Sequence, residues 1–471
     1  MHIVFLNPQG NFDQNDSHMT EHPDFGGQLI YVKEVSMALA DMGHTVDIVT
    51  RRIQDPKWPQ FDKDIDSYKG YEDILRIVRI PFGGNTFLRK ELLWEHLDEF
   101  ADGILNFYGS ALPDFATAHY GDGGLSGVLL KKKSGLGFTF TGHSLGAQKL
   151  DKLGMNKANY EELETYYFFS KRIMAERLSM QYAFNIITST RQERYEQYAH
   201  PLYKWAVDPS DDEKFTVIPP GVNSRIFSTQ ESPVDNNVRA YISKVTGGQI
   251  KPFIIVSSRL EEKKNHKGVV EAFALSQSLQ KKACLGLVLR GIDNPYHEAG
   301  KLPEQEQQIL NDLLDEVRRH NLTDKVFFLN LKSQQEIAAA YRYFAGLGSV
   351  FTLTSFYEPF GLAPIEAAAC GLPAVATKNG GPSEIFADGK GELVDPFDHK
   401  DIARGLLNSL EAHSRYAREQ EALVRKNYTW RKTAEAYFSV IEAGAQAMRD
   451  DAVAIGSLNA SEQIRAYLAL H

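Results

Sequence analysis

Residues 2–8 read His-Ile-Val-Phe-Leu-Asn-Pro, an apolar run that ends in an asparagine and a proline. Such a run is typical of a strand that is buried on both faces of a parallel sheet. After Gly26 and Gly27, apolar residues recur at helical spacing until Gly43, and a second strand is predicted over 45–50. The first fifty residues therefore predict a β-α-β unit.

The alternation of strands and helices continues along the chain, is interrupted after residue 218, and starts again at residue 252. Further strands of the first half are predicted at 74–80, 116–119, 138–141, 185–188 and 216–218. Residues 219–221, Pro-Pro-Gly, forbid a helix and permit a turn. Strands of the second half are predicted at 252–257, 285–290, 326–329, 350–353 and 373–377. Two such halves predict an α/β protein with two doubly wound, Rossmann-like domains that face each other across a cleft.

The domain boundaries follow from this pattern. We place the first domain at 1–225 and the second domain at 226–445. Residues 446–471 are expected to form a helical tail that packs back on the first domain.

The composition excludes several classes of protein. The chain has 471 residues, of which 43% are hydrophobic and 24% charged, so disordered, collagen-like and coiled-coil classes are excluded. A net charge of −9 argues against binding to nucleic acid or to a membrane surface. Cys284 and Cys370 are too few for a disulfide framework or a cysteine metal site. Since no basic leader precedes the first strand, we expect a cytoplasmic protein.

The sequence lacks several common catalytic motifs and matches one of them. It contains no complete dinucleotide fingerprint, Gly-Lys-Ser/Thr phosphate loop or His-Glu-x-x-His, which counts against a dehydrogenase, a P-loop NTPase and a zinc protease. Residues 142–146, Gly-His-Ser-Leu-Gly, do match the nucleophile elbow of α/β-hydrolases, so a serine hydrolase that uses Ser144 is one alternative. The continuation at 147–152 is long and charged, whereas a helix after an elbow packs through small residues.

Two segments place polar groups where open α/β sheets bind ligands. Residues 26–28, Gly-Gly-Gln, precede the first helix, where free amides and the helix dipole favour an anion. Arg259, Lys263 and Lys264 follow the first strand of the second domain, where a diphosphate requires fixed cations. The alternatives are a tight turn without a ligand and a solvated run of charges.

The most specific segment is 358–366, Glu-Pro-Phe-Gly-Leu-Ala-Pro-Ile-Glu. Pro364 suits an early helical position, so Glu358 is predicted in the preceding loop and Glu366 on the helix. The Glu358 carboxylate and the amides of 360–362 are expected to converge on one point that can hold sugar hydroxyls and a phosphate. Glu366 is expected one step deeper, at a ribose diol. The alternative is a capping glutamate followed by a surface glutamate.

This segment and its continuation to residue 382 resemble the signature of retaining GT-B glycosyltransferases of family 4, and that of sucrose-phosphate synthases in particular. Other segments also carry the resemblance, namely 26–28, 141–146, 188–193, 218–221 and 258–265. The segments occur in order over most of the chain. The resemblance implies a minimal catalytic core without plant-type regulatory extensions.

The resemblance implies a GT-B fold and a hexosyltransferase. The expected reaction moves glucose from UDP-glucose to fructose 6-phosphate, giving sucrose 6-phosphate and UDP with retention at the anomeric carbon. No metal or other cofactor is expected, and a sucrose-phosphate phosphatase is the expected protein partner. Sucrose synthase and other nucleotide-glucose-dependent enzymes of family 4 are alternatives, although sucrose synthases tend to have alanine where this chain has Pro359. A non-catalytic protein that binds sugar nucleotides is a further alternative.

The resemblance also implies roles for individual residues. The expected catalytic residues are His143, Glu358, Arg259 and Lys264. The expected donor-binding residues are Gly27, Arg259, Lys264, Glu358, Phe360, Gly361, Leu362 and Glu366. His143 is expected near the glucose 6-hydroxyl and the anomeric centre, and Glu358 at the glucose 3-hydroxyl. Basic groups of the first domain are expected to hold the acceptor phosphate, and the acceptor-binding residues are Gly27, Gln28, Lys90, Lys149, Lys152 and Arg172.

Overall fold

The computed structural model describes residues 1–18, 25–447 and 452–470. The chain forms two compact units. Unit 1 contains residues 1–219 together with the C-terminal part of the chain from Trp430 onward, and unit 2 contains Pro220–Thr429.

Unit 1 is built on an eight-stranded sheet. Its strands are β1 (His2–Leu6), β2 (Thr45–Arg51), β3 (Ile65–Ser67), β4 (Leu75–Ile80), β5 (Phe115–His119), β6 (Phe138–Thr141), β7 (Asn185–Thr188) and β8 (Phe215–Val217). Their order across the sheet is β3-β4-β2-β1-β5-β6-β7-β8, and β3 runs antiparallel to β4. The strands from β4 to β7 have the 3-2-1-4-5-6 order of a Rossmann-like sheet. Residues 3–6 of β1 are fully buried, as expected for a parallel strand covered on both faces.

Among the described residues of unit 1, six α-helices lie between these strands. They are α1 (Gly27–Ala40), α2 (Leu97–Tyr108), α3 (Tyr120–Ser134), α4 (Gly146–Lys152), α5 (Tyr160–Tyr167) and α6 (Phe169–Tyr182). The apolar residues of α1 that were predicted at helical spacing, such as Leu29, Val32 and Val35, are buried in the core. The predicted β-α-β unit is confirmed.

Unit 2 is built on a six-stranded parallel sheet. Its strands are β9 (Phe253–Val256), β10 (Cys284–Val288), β11 (Val326–Leu329), β12 (Val350–Leu353), β13 (Ala374–Thr377) and β14 (Glu392–Val394). The order β11-β10-β9-β12-β13-β14 is again 3-2-1-4-5-6. The two Rossmann-like sheets predicted from the sequence are therefore confirmed.

The helices of unit 2 begin after residue 234. They are α7 (Asp235–Val245), α8 (His266–Leu275), α9 (Gln277–Lys282), α10 (Pro295–Glu298), α11 (Glu304–Arg319), α12 (Gln334–Gly346), α13 (Leu362–Ala369), α14 (Pro382–Ile385), α15 (His399–Glu411) and α16 (His413–Asn427). Helices α8 and α9 are separated at Ser276. The backbone of Ser276 is extended, and the Ser276 side chain accepts a hydrogen bond from the Leu279 amide.

Two C-terminal helices belong to unit 1, namely α17 (Trp430–Gln446) and α18 (Ser461–Leu470). On α17, the Tyr437 hydroxyl lies 3.1 Å from that of Tyr31 on α1, and the Trp430 ring meets the Tyr31 ring edge-on. The structure thus returns the chain to unit 1 at residue 430, whereas the sequence boundary was placed at 445. The contacts of Trp430 and Tyr437 with Tyr31 hold α17 against unit 1 and account for this difference.

Every strand predicted above is present, with ends that differ by one or two residues. The short strands β3 and β14 were not predicted. Across 1–18, 25–447 and 452–470, no helix is both long enough and apolar enough to cross a membrane.

Candidate active site

In unit 2, the predicted site residues lie where the sheet changes direction. Strands β9 and β12 are neighbours, but the chain continues from β9 toward one sheet edge and from β12 toward the other. Ligands of open α/β sheets bind in the crevice outside the carboxyl ends of such strands. Residues 257–264 follow β9 and residues 354–361 follow β12, so both predicted segments begin at this crevice.

An ion pair joins these two segments. The Lys264 Nζ atom lies 2.7 Å from the Glu358 Oε2 atom, and the two side chains are 18% and 12% exposed. The Ser355 hydroxyl donates a hydrogen bond of 3.2 Å to the same carboxylate oxygen. The structure therefore brings together two residues that the sequence predicted separately, in a charge-assisted contact that fixes both side chains.

Lys264 is held in place by the residue that follows it. Asn265 has a left-handed backbone with φ of 55°, and its side chain caps α8 by accepting a hydrogen bond from the Gly268 amide. Its amide nitrogen also donates to the Pro396 carbonyl at 2.8 Å. A turn fixed in this way directs Lys264 toward Glu358. Asn265 was not predicted as a site residue, although asparagine is a frequent left-handed residue and helix cap.

The loop before α13 carries Glu358 and packs against the backbone of Gly380 and Gly381. The Gly381 amide donates to the Glu358 carbonyl at 2.9 Å, and the Glu358 amide donates to the Asn379 carbonyl at 3.1 Å. A Cβ atom on Gly380 would lie 2.0 Å from the Glu358 carbonyl oxygen, so the two backbones meet too closely for any side chain. The helix begins at Leu362, and the amides of its first turn have no acceptor within the helix.

Glu366 lies on α13, as predicted, and is half-buried. Burial raises the pKa of its carboxyl to about 7. Burial and then the Glu366 charge raise the pKa of the neighbouring Tyr341. A carboxyl whose pKa is raised by burial is suited to accept hydrogen bonds from a ligand diol.

Replacing Glu366 with glutamine is expected to raise the melting temperature of the ligand-free protein at about pH 9 and to change it little at about pH 4. The folded pKa of about 7 lies above the unfolded value of 4.5, so the stability that the neutral carboxyl contributes is present in full below pH 4.5 and is lost as the pH rises from there through 7. Thermal unfolding of both proteins at the two pH values measures the effect. An equal shift at both values would contradict it.

Arg259 lies apart from this ion pair. Its side chain is 81% exposed and its Nη2 atom lies 3.2 Å from Glu261. Lys263 contacts the same glutamate at 2.6 Å and is 64% exposed. Because exposed ion pairs contribute little free energy, the Arg259 guanidinium can be redirected toward an anionic ligand at low cost.

In unit 1, the predicted glycines lie at the start of α1. Gln28 donates a hydrogen bond of 2.7 Å to Asn7, which follows β1, and accepts one from Gln9. Within the described part of the chain, no atom lies within 4 Å of the position that a Cβ atom would take on Gly26 or Gly27.

His143 follows β6 and has a left-handed backbone, with φ of 56°. Its Nε2 atom lies 2.9 Å from the Nδ1 atom of His119, the last residue of β5. Burial lowers the pKa of His143 to about 3, so the ring is neutral at physiological pH. His119 was not predicted as a site residue. Its position at the carboxyl end of a predicted strand was the signal for it.

The serine hydrolase alternative is not supported. In the segment that matches a nucleophile elbow, the left-handed residue is His143 and not Ser144. Ser144 is exposed, its amide bonds to the Gly142 carbonyl, and the neighbouring imidazole is bonded to His119. An elbow serine requires a histidine base within hydrogen-bond reach.

Arg172 lies beneath this turn. Its Nε atom donates to Glu176 at 3.0 Å, and its Nη2 atom donates to the Ser144 carbonyl. Glu176 in turn accepts a hydrogen bond of 2.9 Å from the Gly146 amide. Arg172 is buried and therefore fixes the turn that carries His143. Its predicted contact with an acceptor phosphate stays a prediction.

Lys90 and Lys149, which were predicted to bind the acceptor phosphate, lie in the same region of unit 1 as Arg172. Burial raises the pKa of Asp122 to about 7, and the charges of Lys90 and Arg172 both oppose this rise, so both cations lie near that carboxyl. Lys149 lies 3.9 Å from Glu91, the residue after Lys90, and 4.0 Å from the centre of the Tyr167 ring.

Lys152 is exposed on α4. No group of three or more His, Cys, Asp or Glu side chains suited to a metal ion occurs among the described residues. The absence of a metal from the chemistry stays a prediction.

Comparison with known proteins identifies the family. Residues 1–245 match the model for the first GT-B domain of sucrose synthase, and residues 241–428 match the model for group 1 glycosyl transferases. The chain is 45% identical to a probable sucrose-phosphate synthase of Thermosipho melanesiensis, over 94% of this chain and 96% of that relative. The chain belongs to the sucrose-phosphate synthase family. The resemblance inferred from the motifs is thereby confirmed.

A solved structure of a sucrose-phosphate synthase and those of other glycosyltransferases have the same fold. The sucrose-phosphate synthase of Thermosynechococcus elongatus matches with a TM-score of 0.66 at 24% identity, over 94% of this chain and 98% of that one. Anabaena Alr3699/HepE, solved in complex with UDP-glucose, matches with a TM-score of 0.60 at 16% identity, over 94% and 100%. The predicted GT-B fold is confirmed, and this member of the sucrose-phosphate synthase family is a hexosyltransferase. It spans about half the length of its plant relatives.

Proposed function

We propose that this protein transfers glucose from UDP-glucose to fructose 6-phosphate, with retention at the anomeric carbon, to give sucrose 6-phosphate and UDP. The observation that carries the proposal is the Lys264–Glu358 ion pair at the crevice between β9 and β12. The pair offers a cation for a diphosphate and a carboxylate for sugar hydroxyls within one contact.

The donor is assigned to unit 2. The remaining N–H groups of Lys264, the exposed guanidinium of Arg259 and the first-turn amides of α13 are suited to the two phosphates. Glu358 accepts hydrogen bonds from glucose hydroxyls, and Glu366 accepts them from the ribose. The UDP-glucose complex of Anabaena Alr3699/HepE agrees with a nucleotide-sugar donor for this fold.

The acceptor is assigned to unit 1. The chain carries a net charge of −9, yet Lys90, Lys149 and Arg172 lie in one region of unit 1. Charge-assisted hydrogen bonds from these cations would favour a phosphorylated sugar over a neutral one, although Lys149 and Arg172 are each also paired with a glutamate. This is the feature that distinguishes fructose 6-phosphate from the unphosphorylated fructose used by sucrose synthase. Gly27 and Gln28 are assigned to the same ligand.

The chemistry follows from these charges. When the bond between the glucose C1 atom and UDP breaks, negative charge develops on the leaving phosphate, and Lys264 and Arg259 stabilise it. The acceptor hydroxyl forms a new bond to C1 on the same face, and its proton passes to the departing phosphate oxygen. His143 donates a hydrogen bond to the glucosyl group. Trapping of a covalent glucosyl-enzyme adduct would contradict attack on this face.

Product analysis tests the proposal. The protein is incubated with UDP-glucose and either fructose 6-phosphate or fructose, and the products are identified by mass spectrometry and by the anomeric proton coupling. We expect sucrose 6-phosphate, with kcat/KM for the phosphorylated acceptor greater by about 10²-fold, the value of one or two charged hydrogen bonds. Equal kcat/KM for the two acceptors would favour sucrose synthase activity instead.

Replacing Lys149 with alanine is expected to raise the KM for fructose 6-phosphate by about 10-fold and to leave the KM for UDP-glucose unchanged, because one charged hydrogen bond to the phosphate is lost. Steady-state kinetics with each substrate varied in turn measures this. Lys157→Ala, a change at an exposed lysine beyond α4, is the matched control and is expected to have no effect. Equal KM values for the two variants would show that the acceptor phosphate lies elsewhere.

Three expectations from the sequence stay predictions. These are a cytoplasmic location, chemistry without a cofactor, and a sucrose-phosphate phosphatase as partner.

A further inference from the structure

A chain of hydrogen bonds runs through the sheet of unit 1 and ends at His143. The Thr139 hydroxyl donates to the Thr117 hydroxyl at 2.9 Å, and the Thr117 hydroxyl lies 3.2 Å from the Nε2 atom of His119. The Nδ1 atom of His119 then lies 2.9 Å from the Nε2 atom of His143. Three side chains of β5 and β6 thus lead to one nitrogen of His143.

The two imidazole rings are held rigidly. His119 is fully buried, and its ring stacks on that of Phe5 at 5.4 Å and on that of His143 at 5.2 Å. The edge of the Tyr31 ring packs at 5.0 Å from the ring of His143, whose backbone is itself left-handed. A residue other than glycine persists in that conformation only where its surroundings impose it, and such residues cluster at functional sites.

The direction of the chain bears on where the protons lie. The Thr117 oxygen accepts the Thr139 proton, which leaves the proton of Thr117 itself available to the Nε2 atom of His119. A neutral imidazole carries one proton, so with Nε2 as the acceptor His119 carries its proton on Nδ1 and donates it to the Nε2 atom of His143. In this arrangement His143 carries its own proton on Nδ1.

The electrostatic environment agrees with neutral rings. Burial, and then the charge of His143, hold the pKa of His119 well below its usual value. Within residues 1–18, 25–447 and 452–470, the structure shows one hydrogen bond of the His143 ring, at Nε2. The Nδ1–H group therefore remains available to a ligand.

We propose that His119 is a positioning residue, which fixes His143 in the neutral tautomer protonated at Nδ1 and so turns one N–H donor toward the glucosyl group. The proposal rests on the assignment of His143 to the donor glucose under the proposed function. It adds a residue, His119, that acts through His143, and a hydroxyl pair, Thr117 and Thr139, that orients His119 in turn.

Nitrogen-15 NMR of ring-labelled protein tests the tautomer directly. In the wild-type protein we expect His143 to show a protonated Nδ1 and an unprotonated Nε2, with assignment by comparison with His143→Gln. The spectrum is recorded without substrate, so its outcome does not depend on whether the protein makes sucrose 6-phosphate. A His143 ring that is protonated at Nε2 would overturn the proposal.

Two replacements of His119 separate positioning from packing. Asparagine retains an N–H donor near the position of Nδ1, whereas phenylalanine retains the ring volume and loses the donor. We expect His119→Phe to lower kcat by about 10²-fold with the KM for UDP-glucose unchanged, and His119→Asn to restore most of the loss. Equal losses in the two variants would indicate a packing role and contradict the proposal.

Thr117→Val provides an independent variant should the phenylalanine protein fail to fold. It keeps the shape of the side chain but removes the donor to the Nε2 atom of His119, so we expect a mixture of the two His143 tautomers in its spectrum. A single, unchanged tautomer would overturn the proposed relay. If the wild-type protein shows the expected tautomer but forms no sucrose 6-phosphate, the proposed function fails and the positioning role stands.

Discussion

Replacing Lys264 with alanine is expected to lower kcat by about 10²–10³-fold, the range measured for the loss of one preorganised group that stabilises transition-state charge. The Lys264 ammonium is fixed against Glu358 at 2.7 Å and is 18% exposed, so little reorganisation is needed as the leaving phosphate gains charge. The change also leaves the Glu358 carboxylate without its cation. Single-turnover kinetics with UDP-glucose measures the chemical step.

The neighbouring lysine provides a matched control. Lys263 has the same charge and lies on the same short helical turn, but its side chain is 64% exposed and contacts Glu261. Lys263→Ala is expected to change kcat less than threefold, as for an exposed ion pair worth under about 1 kcal/mol. If both variants lose activity equally, local charge density and not the fixed ammonium accounts for the effect, and the proposed role of Lys264 is wrong.

The sequence predicted the elements of this site better than its contacts. Apolar runs identified β9 and β12, and the segment 358–366 identified the loop and the helix that follow β12. The contact between Lys264 and Glu358 joins residues 94 positions apart. It depends on β9 and β12 being neighbours, which is a property of strand order and leaves no trace in either local segment.

The domain boundary shows the same limit. The polar composition near residue 430 gives no sign that α17 leaves the second unit. What decides its place is the pairing of Tyr31 and Tyr437, which are 406 residues apart. Arg172 is a related case, because a basic residue on a helix gives the same sequence pattern whether it is exposed or, as here, buried against Glu176.

Replacing Gly380 with alanine is expected to weaken UDP binding by about 10–10²-fold, the equivalent of about 1–3 kcal/mol, because the loop that carries Glu358 is displaced. Gly380 has φ of 101°, and the added Cβ atom would lie 2.0 Å from the Glu358 carbonyl oxygen. The loop must therefore move away from the glycine, and it carries Glu358 and the start of α13 with it. Calorimetric titration with UDP measures the loss.

A second glycine separates this displacement from the cost of the backbone conformation alone. Gly389 also has a positive φ, 74°, and within the described part of unit 2 no atom lies within 4 Å of its Cβ position. Gly389→Ala therefore places alanine in a left-handed conformation without bringing its Cβ atom into contact with another atom. It is expected to lower the melting temperature slightly and to leave UDP affinity unchanged. If it weakens UDP binding as much as Gly380→Ala does, then general destabilisation of unit 2 explains both results. If only Gly380→Ala weakens binding, the affinity depends on where the Glu358 loop is held, because the two variants share the backbone strain and differ in that one contact.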